Sequence, residues 1–568
     1  MDGRLLPCGE RAVLIEVADL DAVMALRTVL AALAGRGAFA AVRDVVAAAT
    51  TVLLGVDDPD ALPGVREAVV NLLPGPDPAT VTAARGEPVE IGVHYDGADL
   101  AEVARLTGLR PDEVVAAHTG RDWVVAFGGF APGFAYLAGG DERLQVPRRA
   151  EPRTRVPPGA VGLAGPFSGI YPRASPGGWQ LIGRTDIGLW DAERDPPALL
   201  QPGGRVRFRS IDEGLDKLDQ RTPDPVTTPL GPPPDDRASA PLGPPPLALV
   251  DTTPGRSGEL DKPVQAGPQQ VDTPHALTVL ATGPLALVVD EGRPGYAAVG
   301  VSPSGAADRS AYRLANRLVG NPPGAAALEI VLGGLAVRAA SHCLATLTGA
   351  DCAPRVDGRP VTHAGAVYLR PGQVLRLGVS AAGLRCYLAV AGGFEVPLVL
   401  GSASTDTLSG VGPPRIRPGD RLSVGPARPC FPGVDSAPRS PHPDVEATLD
   451  VLPGPRAEWI ADTSALTGQT WRVSERSDRV GVRLLGEPLR RHPDVVEGEL
   501  PSEPTVRGSI QVPPDGQPVI FGADHPVTGG YPVIGVLTES ASDTLAQARP
   551  GDRVRFRWAS PPTHPPTR

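Results

Sequence analysis

Lysine is nearly absent from this chain of 568 residues, in which Lys217 and Lys262 are the only two. Both lie in or beside a proline-rich stretch that we interpret below as a linker. The folded domains therefore offer no lysine for a P-loop, a Schiff base, a biotin attachment site or a serine–serine–lysine amidase triad. Any phosphate or carboxylate must be bound by arginine, by backbone N–H groups or by a metal ion.

Cysteine and histidine are also sparse. Five cysteines are spread over the chain without a C-x-x-C pair, and nine histidines show no H-E-x-x-H or similar ligand spacing. Neither a disulfide framework nor a protein-bound metal is predicted from these patterns. A Mg²⁺ ion arriving with a nucleotide remains compatible with them.

Long apolar runs and an excess of positive charge are missing as well. No stretch reaches the ~20 apolar residues of a membrane span, and the first residues lack a basic segment followed by an apolar core. The net charge of −10 gives no general attraction for a phosphate backbone. We expect a cytoplasmic protein, as a homo-oligomer, that binds a small molecule and neither nucleic acid nor membrane.

Aromatic residues make up only 4% of the chain, whereas it contains 68 glycines and 67 prolines. This composition favours many turns and short strands, so we predict a mainly β fold with α+β parts. Residues 1–85 and a strand at 88–93 follow a β-α-β-β-α-β order, which indicates a small ferredoxin-like domain. We expect a β-barrel at 86–212, a first β-rich part of the second half at 277–447 and a second barrel part at 448–560.

Residues 213–276 contain the hexapeptide PLGPPP twice. Proline without apolar periodicity cannot form a core and favours extended chain, so we interpret this segment as an interdomain linker. A ligand for a proline-recognition domain is the alternative.

One short element occurs twice with the same neighbours. Gly177–Gly183 reads GGWQLIG and Gly529–Gly535 reads GGYPVIG, and each is followed by a PG-x-RVRFR segment, at 202–209 and 550–557. Upstream, Glu-Pro and then a triplet of glycine, a small residue and a β-branched apolar residue precede both copies in the same order. Four matches in one order predict a duplicated structural unit.

Basic, aromatic and amide side chains concentrate among the turn-forming residues of the first barrel region. Glycine lets backbone N–H groups approach a ligand, and arginine offers a planar pair of donors to a carboxylate or phosphate. We therefore predict anion binding here, although individual glycines and prolines could simply shape barrel corners. The candidate binding residues are Arg153, Arg155, Tyr171, Gln180 and Arg184.

His118 ends a predicted helix at 112–119. A histidine in this position can interact favourably with the helix dipole, or it can transfer protons. We retain it as a catalytic candidate.

The second half carries acidic candidates around a loop rich in glycine and proline, 290–308, that leads into a predicted helix at 308–318. Asp290 and, near the second repeat, Asp524 are the catalytic candidates. Asp308 could equally be a helix N-cap, and Asn316 could lie on a solvated helix face. The further binding candidates of this half are Arg293, Asp308, Asn316, Glu329, Glu503, Gln511, Thr528 and Tyr531.

These motifs resemble a known family. GGFAPGFAYL, VPRRAEPRTRVPPGAVGLAG and GIYPRASPGGWQLIGRT are similar to the B component of 5-oxoprolinase, of the allophanate-hydrolase-related carboxyltransferase-domain proteins. DEGRPGYAAVGVSPSGAADRSAYRLANRLVGN, LEIVLGG, SEPTVRGSIQVPPDGQPV and TGGYPVIG are similar to the C component of the same enzyme. The resemblance covers nearly everything outside the linker, and the chain looks like a fusion of the B and C components.

The resemblance implies ATP-dependent opening of 5-oxo-L-proline to L-glutamate, with Mg²⁺ bound to the nucleotide and a separate A component of 5-oxoprolinase as partner. It also implies that the barrels are cyclophilin-like. Phosphorylation of the lactam oxygen would make the ring carbon electrophilic, and arginine-rich and glycine-rich anion sites suit such a reaction.

Two other functions are compatible with the same resemblance. One is the carboxyltransferase component of a urea carboxylase-like biotin system, which would need its biotin carrier and its carboxylase domain in other chains, because the folded domains here offer no biotin-attachment lysine. The other is a regulatory binding protein, since B-type components also resemble an inhibitor of a sporulation histidine kinase.

Overall fold

The computed structural model describes residues 3–73, 86–211, 275–427, 436–438, 446–495 and 500–559. Residues 213–274 of the predicted proline-rich linker lie outside these ranges, and its last two residues, 275 and 276, belong to the strand His275–Thr282. Within these ranges the fold is mainly β, as expected, with seven α-helices: α1 (Leu20–Leu33), α2 (Leu62–Leu72), α3 (Leu100–Thr107), α4 (Pro111–Thr119), α5 (Arg309–Leu318), α6 (Ser464–Thr467) and α7 (Glu539–Leu545). In the described part of the chain, no helix is long and apolar enough to cross a membrane.

A four-stranded antiparallel sheet forms the N-terminal part, with the strand order β1-β2-β4-β3. Side chains alternate between its two faces, as expected for extended strands. Val13 and Ile15 pack with the helices α1 and α2 on one face, whereas Leu14 and Val46 on the other face pack against Val527 of the second half. The strands are β1 (Gly3–Pro7), β2 (Ala12–Val17), β3 (Val42–Ala47) and β4 (Thr51–Val56).

The strand expected to complete a ferredoxin-like order does not join this sheet. It is β5 (Val89–Val93), which pairs in parallel with the strand at Arg205–Ser210 of the next sheet. The edge beside β2 is occupied instead by β1, which pairs with it over all five of its residues. This part of the ferredoxin-like prediction is wrong because the short β1–β2 connection supplies a local partner for β2 before β5 is reached.

A seven-stranded sheet follows, in the order β12-β9-β10-β7-β6-β13-β5. Mutual backbone hydrogen bonds of 2.8 Å between His94 and Arg184 join its two ends into a ring. A two-stranded sheet of β8 and β11 lies beside it. The strands are β6 (Trp123–Gly128), β7 (Ala135–Ala138), β8 (Arg153–Val156), β9 (Ala160–Ala164), β10 (Phe167–Ile170), β11 (Ser175–Gly177), β12 (Gln180–Arg184) and β13 (Arg205–Ser210).

The second half opens with two sheets, in the orders β20-β19-β22-β17-β14-β25-β24 and β15-β16-β23-β18-β21. Helix α5 packs on the second of them through the apolar face predicted from its sequence, which includes Ala311, Tyr312 and Ala315. The strands are β14 (His275–Thr282), β15 (Leu285–Val289), β16 (Ala327–Val331), β17 (Leu335–Ala339), β18 (Cys343–Gly349), β19 (Arg355–Val356), β20 (Arg359–Pro360), β21 (Val367–Leu369), β22 (Val374–Arg376), β23 (Arg385–Val390), β24 (Phe394–Glu395) and β25 (Arg421–Val424).

A closed barrel ends the chain, in the order β26-β33-β30-β31-β28-β27-β34, again with a two-stranded sheet, β29 and β32, beside it. The strands are β26 (Glu446–Pro453), β27 (Trp471–Val473), β28 (Gly481–Leu485), β29 (Glu503–Pro504), β30 (Ser509–Gln511), β31 (Val519–Phe521), β32 (Thr528–Gly529), β33 (Val533–Leu537) and β34 (Arg553–Trp558).

The two rings have the same cyclic strand order, which confirms the predicted duplication. In each ring the RVRFR strand pairs in parallel with the first strand of its unit. A buried tryptophan on the second strand of each ring also donates its indole N–H to a carbonyl five residues earlier, from Trp123 to His118 and from Trp471 to Leu466. In both copies, the repeated GG-[WY] element therefore connects the two-stranded sheet to the next strand of the barrel.

Candidate functional site

His118 lies in the core of the first barrel, fully buried. Its two ring nitrogens are 2.7 Å from the Tyr95 hydroxyl and 2.8 Å from Ser168 Oγ, and its ring stacks on Phe208. Burial lowers its pKa to about 3, so the imidazole is neutral in the folded protein. This environment favours a structural role over the proton transfer that we expected from the sequence.

We expect His118 to make the protein acid-sensitive. A group whose pKa falls from 6.5 to about 3 on folding contributes stability that is fully present above pH 6.5 and is lost as the pH falls towards 3. His118→Gln should reduce the slope of unfolding free energy against pH in this window by up to about 1.4 kcal/mol per pH unit. Urea titrations at several pH values measure it.

His342→Gln is the matched control, because His342 is exposed and bonded to the exposed Tyr368. It should leave the pH slope unchanged. Identical slopes for wild type and His118→Gln would show that His118 is not the acid-sensitive group.

Arg153 is held by a carboxylate that the sequence analysis missed. The buried Asp99 accepts hydrogen bonds of 2.7 Å from Arg153, from Arg149 and from the Leu181 backbone N–H. The motif residues 152–156 are thereby tied to strand β12. Asp99 comes just before a helix, which is the usual position of an N-cap residue. Nothing in the sequence therefore marked it as a partner of Arg153.

The remaining candidates of the first half are dispersed. Arg184 pairs at the surface with Asp96, and Arg155 is exposed. Gln180 is buried and donates to the Pro147 carbonyl at 3.2 Å. Tyr171 is buried among aromatic side chains, and burial raises its pKa to about 12.

In the second half, one buried ionic network joins three of the predicted residues. Arg479, which we did not predict, donates to Asp524 from Nε at 2.9 Å and also pairs with Glu329. Tyr387 donates its hydroxyl hydrogen to Glu329 at 2.8 Å and accepts the Asp308 backbone N–H at the same distance. Asp308, Glu329 and Asp524 therefore lie in a single connected cluster.

Burial and ion pairing shift the pKa values of these carboxylates in opposite directions. Burial is the largest single influence and would raise the pKa values of Asp524 and Glu329, but Arg479 together with further hydrogen bonds and, for Glu329, Arg385 holds both below their usual range. Asp308 lacks a cationic partner of this kind, and burial raises its pKa to about 6. Asp308 also accepts the Ala311 backbone N–H at 2.9 Å, so the N-cap alternative is confirmed.

Asp290 and Arg293 are organised by the loop 399–405. The Asp290 carboxylate accepts from Ser402 Oγ at 2.7 Å and from the Ala403 N–H at 2.6 Å. Arg293, 1% exposed, donates to the Ser404 carbonyl. Both side chains thus bond to this loop, although the buried Nη1 of Arg293 has no hydrogen-bond partner.

Three other candidates make contacts inside the protein. Asn316 donates to the Ala325 carbonyl at 2.9 Å and so holds the segment after α5, rather than lying on a solvated face. Glu503 pairs with Arg456, which also binds Glu16 of the N-terminal sheet at 2.6 Å. Gln511 donates to the carbonyl of Tyr531 at 3.0 Å, and the Tyr531 ring is 45% exposed.

A pocket of about 210 Å³ lies between the two barrels, and we call it the inter-barrel pocket. Both copies of the repeated element line it, through Gly177–Trp179 and Thr528–Gly530. Thr528 Oγ1 accepts the Phe130 backbone N–H at 3.2 Å across the junction. The other lining residues are mostly aromatic: Phe130, Phe134, Tyr136, Arg148, Tyr171 and Ser502.

This pocket can hold a small flat ring. Its aromatic rings are arranged edge to face, with the Phe134 centroid 5.5 Å from those of Tyr171 and Trp179. Glycines at 178 and 530 leave its wall open, and the exposed guanidinium of Arg148 can reach an anionic substituent. Tyr171 and Thr528 are the two sequence-predicted candidates that the structure brings to this pocket.

A larger cavity of about 330 Å³ separates the N-terminal sheet from the second half, and we call it the interface cavity. Apolar residues of the sheet, such as Val46 and Leu53, and Val506 and Val527 of the second half line it. His525 also lines it, neutral because burial lowers its pKa to about 4. Five arginines surround the space: Arg11, Arg43, Arg309, Arg313 and Arg507.

None of these arginines was predicted. They come from several separate segments of the chain and share no sequence motif. The sequence therefore gave no sign that they surround one cavity. In the residues that the structure describes, no three His, Cys, Asp or Glu side chains meet as a group able to bind a metal ion.

Comparison with known proteins covers both halves. A family model for the carboxyltransferase domain, subdomains A and B, matches residues 299–558, and one for subdomains C and D matches residues 3–200. The C subunit of 5-oxoprolinase from Escherichia coli (strain K12) is 37% identical over 295 residues, 49% of this chain and 90% of that protein. The B subunit of 5-oxoprolinase from Escherichia coli O157:H7 is 53% identical over 130 residues, 22% of this chain and 60% of that protein.

Two further similarities differ in extent. The urea amidolyase of Lachancea kluyveri is 31% identical over 329 residues, 53% of this chain but 18% of that protein. The crystal structure of TTHA0988 in space group P212121 superimposes with a TM-score of 0.77 at 35% identity, covering 96% of this chain and 99% of that chain. A solved protein thus shares the fold of both halves in one chain.

Proposed function

Because this chain belongs to the carboxyltransferase-domain family that includes the B and C components of 5-oxoprolinase, we propose that it supplies both components of an ATP-dependent 5-oxoprolinase in one polypeptide. The substrate would be 5-oxo-L-proline and the product L-glutamate. A protein similar to the A component of 5-oxoprolinase would be the separate partner. The resemblance also implies that the two β-rings, which share one strand order, are cyclophilin-like barrels.

The observation that carries this proposal is the inter-barrel pocket. The B-like half supplies its aromatic walls and the C-like half supplies Thr528, Gly529 and Gly530, so neither half forms it alone. Its volume of about 210 Å³ is below the range of pockets for drug-sized ligands and suits a small five-membered ring. The lactam ring would lie against Tyr171 and Trp179, with its carboxylate towards Arg148.

The chemistry needs activation because an amide is a poor electrophile. In the proposed reaction the lactam oxygen attacks the γ-phosphorus of ATP, and ADP leaves. Water then adds to the ring carbon, and the carbon–nitrogen bond breaks with protonation of the nitrogen, which leaves an acyl phosphate. A second water molecule hydrolyses this acyl phosphate to L-glutamate and inorganic phosphate. Electrostatic stabilisation of the transferred phosphoryl group is the main requirement, and arginine can provide it without lysine.

The test combines this chain with an A-type 5-oxoprolinase component, 5-oxoproline, Mg²⁺ and ATP, and follows glutamate and ADP together. We expect stoichiometric formation of both, dependent on both proteins. Folded proteins that give neither product would refute the proposal. Carboxyl transfer from carboxybiotin to urea in place of lactam hydrolysis would establish the urea carboxylase-like alternative.

A further inference from the structure

Arg309, the first residue of helix α5, lies at the interface cavity with an incompletely satisfied guanidinium. Its buried Nε has no hydrogen-bond partner. Its ion pair is with Glu539, at 3.7 Å from Nη1. Glu539 is shared, since Arg11 Nη2 donates to it at 2.9 Å.

A second arginine raises the local positive charge. Arg507 lines the same cavity and donates to Asp543 at 2.8 Å and to the Ala307 carbonyl at 2.7 Å. Burial, and next the charge of Arg507, lower the pKa of Arg309 to about 10. An anion beside Arg309 would relieve both effects.

The carboxylates around the cavity are already occupied. Asp44 accepts the Gly295 and Ala297 backbone N–H groups, Asp57 binds Arg43, and Glu291 binds Arg313. Glu10 accepts the Glu539 N–H at 2.7 Å. The Nε of Arg309, by contrast, is a buried donor without a partner, which favours a ligand that offers acceptor oxygens.

We propose that the interface cavity binds the phosphoryl group of a nucleotide-class ligand, with Arg309 as its main donor. A cavity of about 330 Å³ with apolar walls strengthens each charge-assisted hydrogen bond, because water screens it less. The choice of a nucleotide rests on the proposed function. The phosphoryl group itself rests on the arginine geometry.

The cavity is also placed to communicate with the inter-barrel pocket. Ala523, His525 and Val527 line the interface cavity, and Thr528–Gly530, which follow directly, line the inter-barrel pocket. One continuous segment therefore borders both spaces. A ligand that orders this segment from one side would alter the other side.

Titration calorimetry of the full chain at low salt tests the site, with Mg–ATP and inorganic phosphate as probes. Arg309→Gln should weaken Mg–ATP binding by about 10- to 100-fold, because a charged donor is lost. Arg338→Gln is the matched control, since Arg338 is exposed on strand β17 outside the cavity, and it should bind as wild type. If inorganic phosphate binds as tightly as Mg–ATP, free phosphate is the occupant. That result would support a phosphoryl group at Arg309 but not a nucleotide.

Chemical protection in the wild-type protein gives a second measurement that does not depend on a variant folding. Phenylglyoxal labelling of Arg309, read by mass spectrometry, should fall at least about 5-fold with Mg–ATP, whereas labelling of Arg338 should not change. Unchanged labelling of Arg309, or equal binding by Arg309→Gln and wild type, overturns the proposal. Binding at Arg309 without lactam turnover would refute only the proposed function, whereas ATP-dependent turnover unaffected by Arg309→Gln would refute only this site.

Discussion

Replacing Arg479 by methionine is expected to destabilise the protein by about 3–5 kcal/mol, since it removes the cation that two buried carboxylates share. Asp524 and Glu329 are both 0% exposed, and Arg479 bonds to each of them. Their pKa values lie below the usual range chiefly because Arg479 is present, so the variant should also take up protons at higher pH. Urea denaturation at pH 7 measures the loss, which should shrink as the pH is lowered.

Arg338→Met is the matched control for this substitution. Arg338 is exposed, so the same change should alter the free energy of unfolding by no more than about 0.5 kcal/mol. A loss below about 1 kcal/mol for Arg479→Met would mean that the carboxylates find other partners, for example Arg385, which lies 3.3 Å from Glu329.

Local elements were predictable because their signals are local. Helix α5 follows from the spacing of Ala311, Tyr312 and Ala315, and Asp308 caps it as its residue type suggests. The duplication was predictable because two barrels with the same strand order need similar residues in their turns and strands. Short sequence motifs therefore occur twice along the chain. The strand β5 was assigned to the wrong sheet because the order of elements does not specify which neighbour a strand pairs with.

The site was less predictable because its contacts are long-range. Arg479 and Glu329 are 150 residues apart, and their pairing is a property of how two sheets and a barrel pack together. Polar residue types in glycine-rich turns did single out Asp308, Glu329 and Asp524. The same reasoning also selected Arg184, whose guanidinium pairs with Asp96 at the surface, because sequence alone does not distinguish a buried charge from an exposed one.

Filling the inter-barrel pocket should abolish catalysis without unfolding the protein. A Cβ added at Gly178 would find its nearest atom 3.8 Å away, in ordinary contact with Pro152. Because Gly178 lines the pocket, Gly178→Leu should narrow it and lower kcat/KM for coupled glutamate formation by at least about 100-fold. The free energy of unfolding should change by less than about 1 kcal/mol. Gly188→Leu is the control, because Gly188 is exposed with no atom within 4 Å of an added Cβ.

The second copy of the repeat offers an independent test of the same pocket. Gly530 corresponds to Gly178, and a Cβ there would lie 3.7 Å from the Leu500 carbonyl oxygen. If the pocket between the barrels is the lactam site, Gly530→Leu must impair turnover as strongly as Gly178→Leu, although the two residues belong to different halves. Loss of activity with Gly178→Leu alone would place the site on the B-like barrel by itself. Full activity in both variants, with folding intact, would exclude the inter-barrel pocket as the place where the lactam binds.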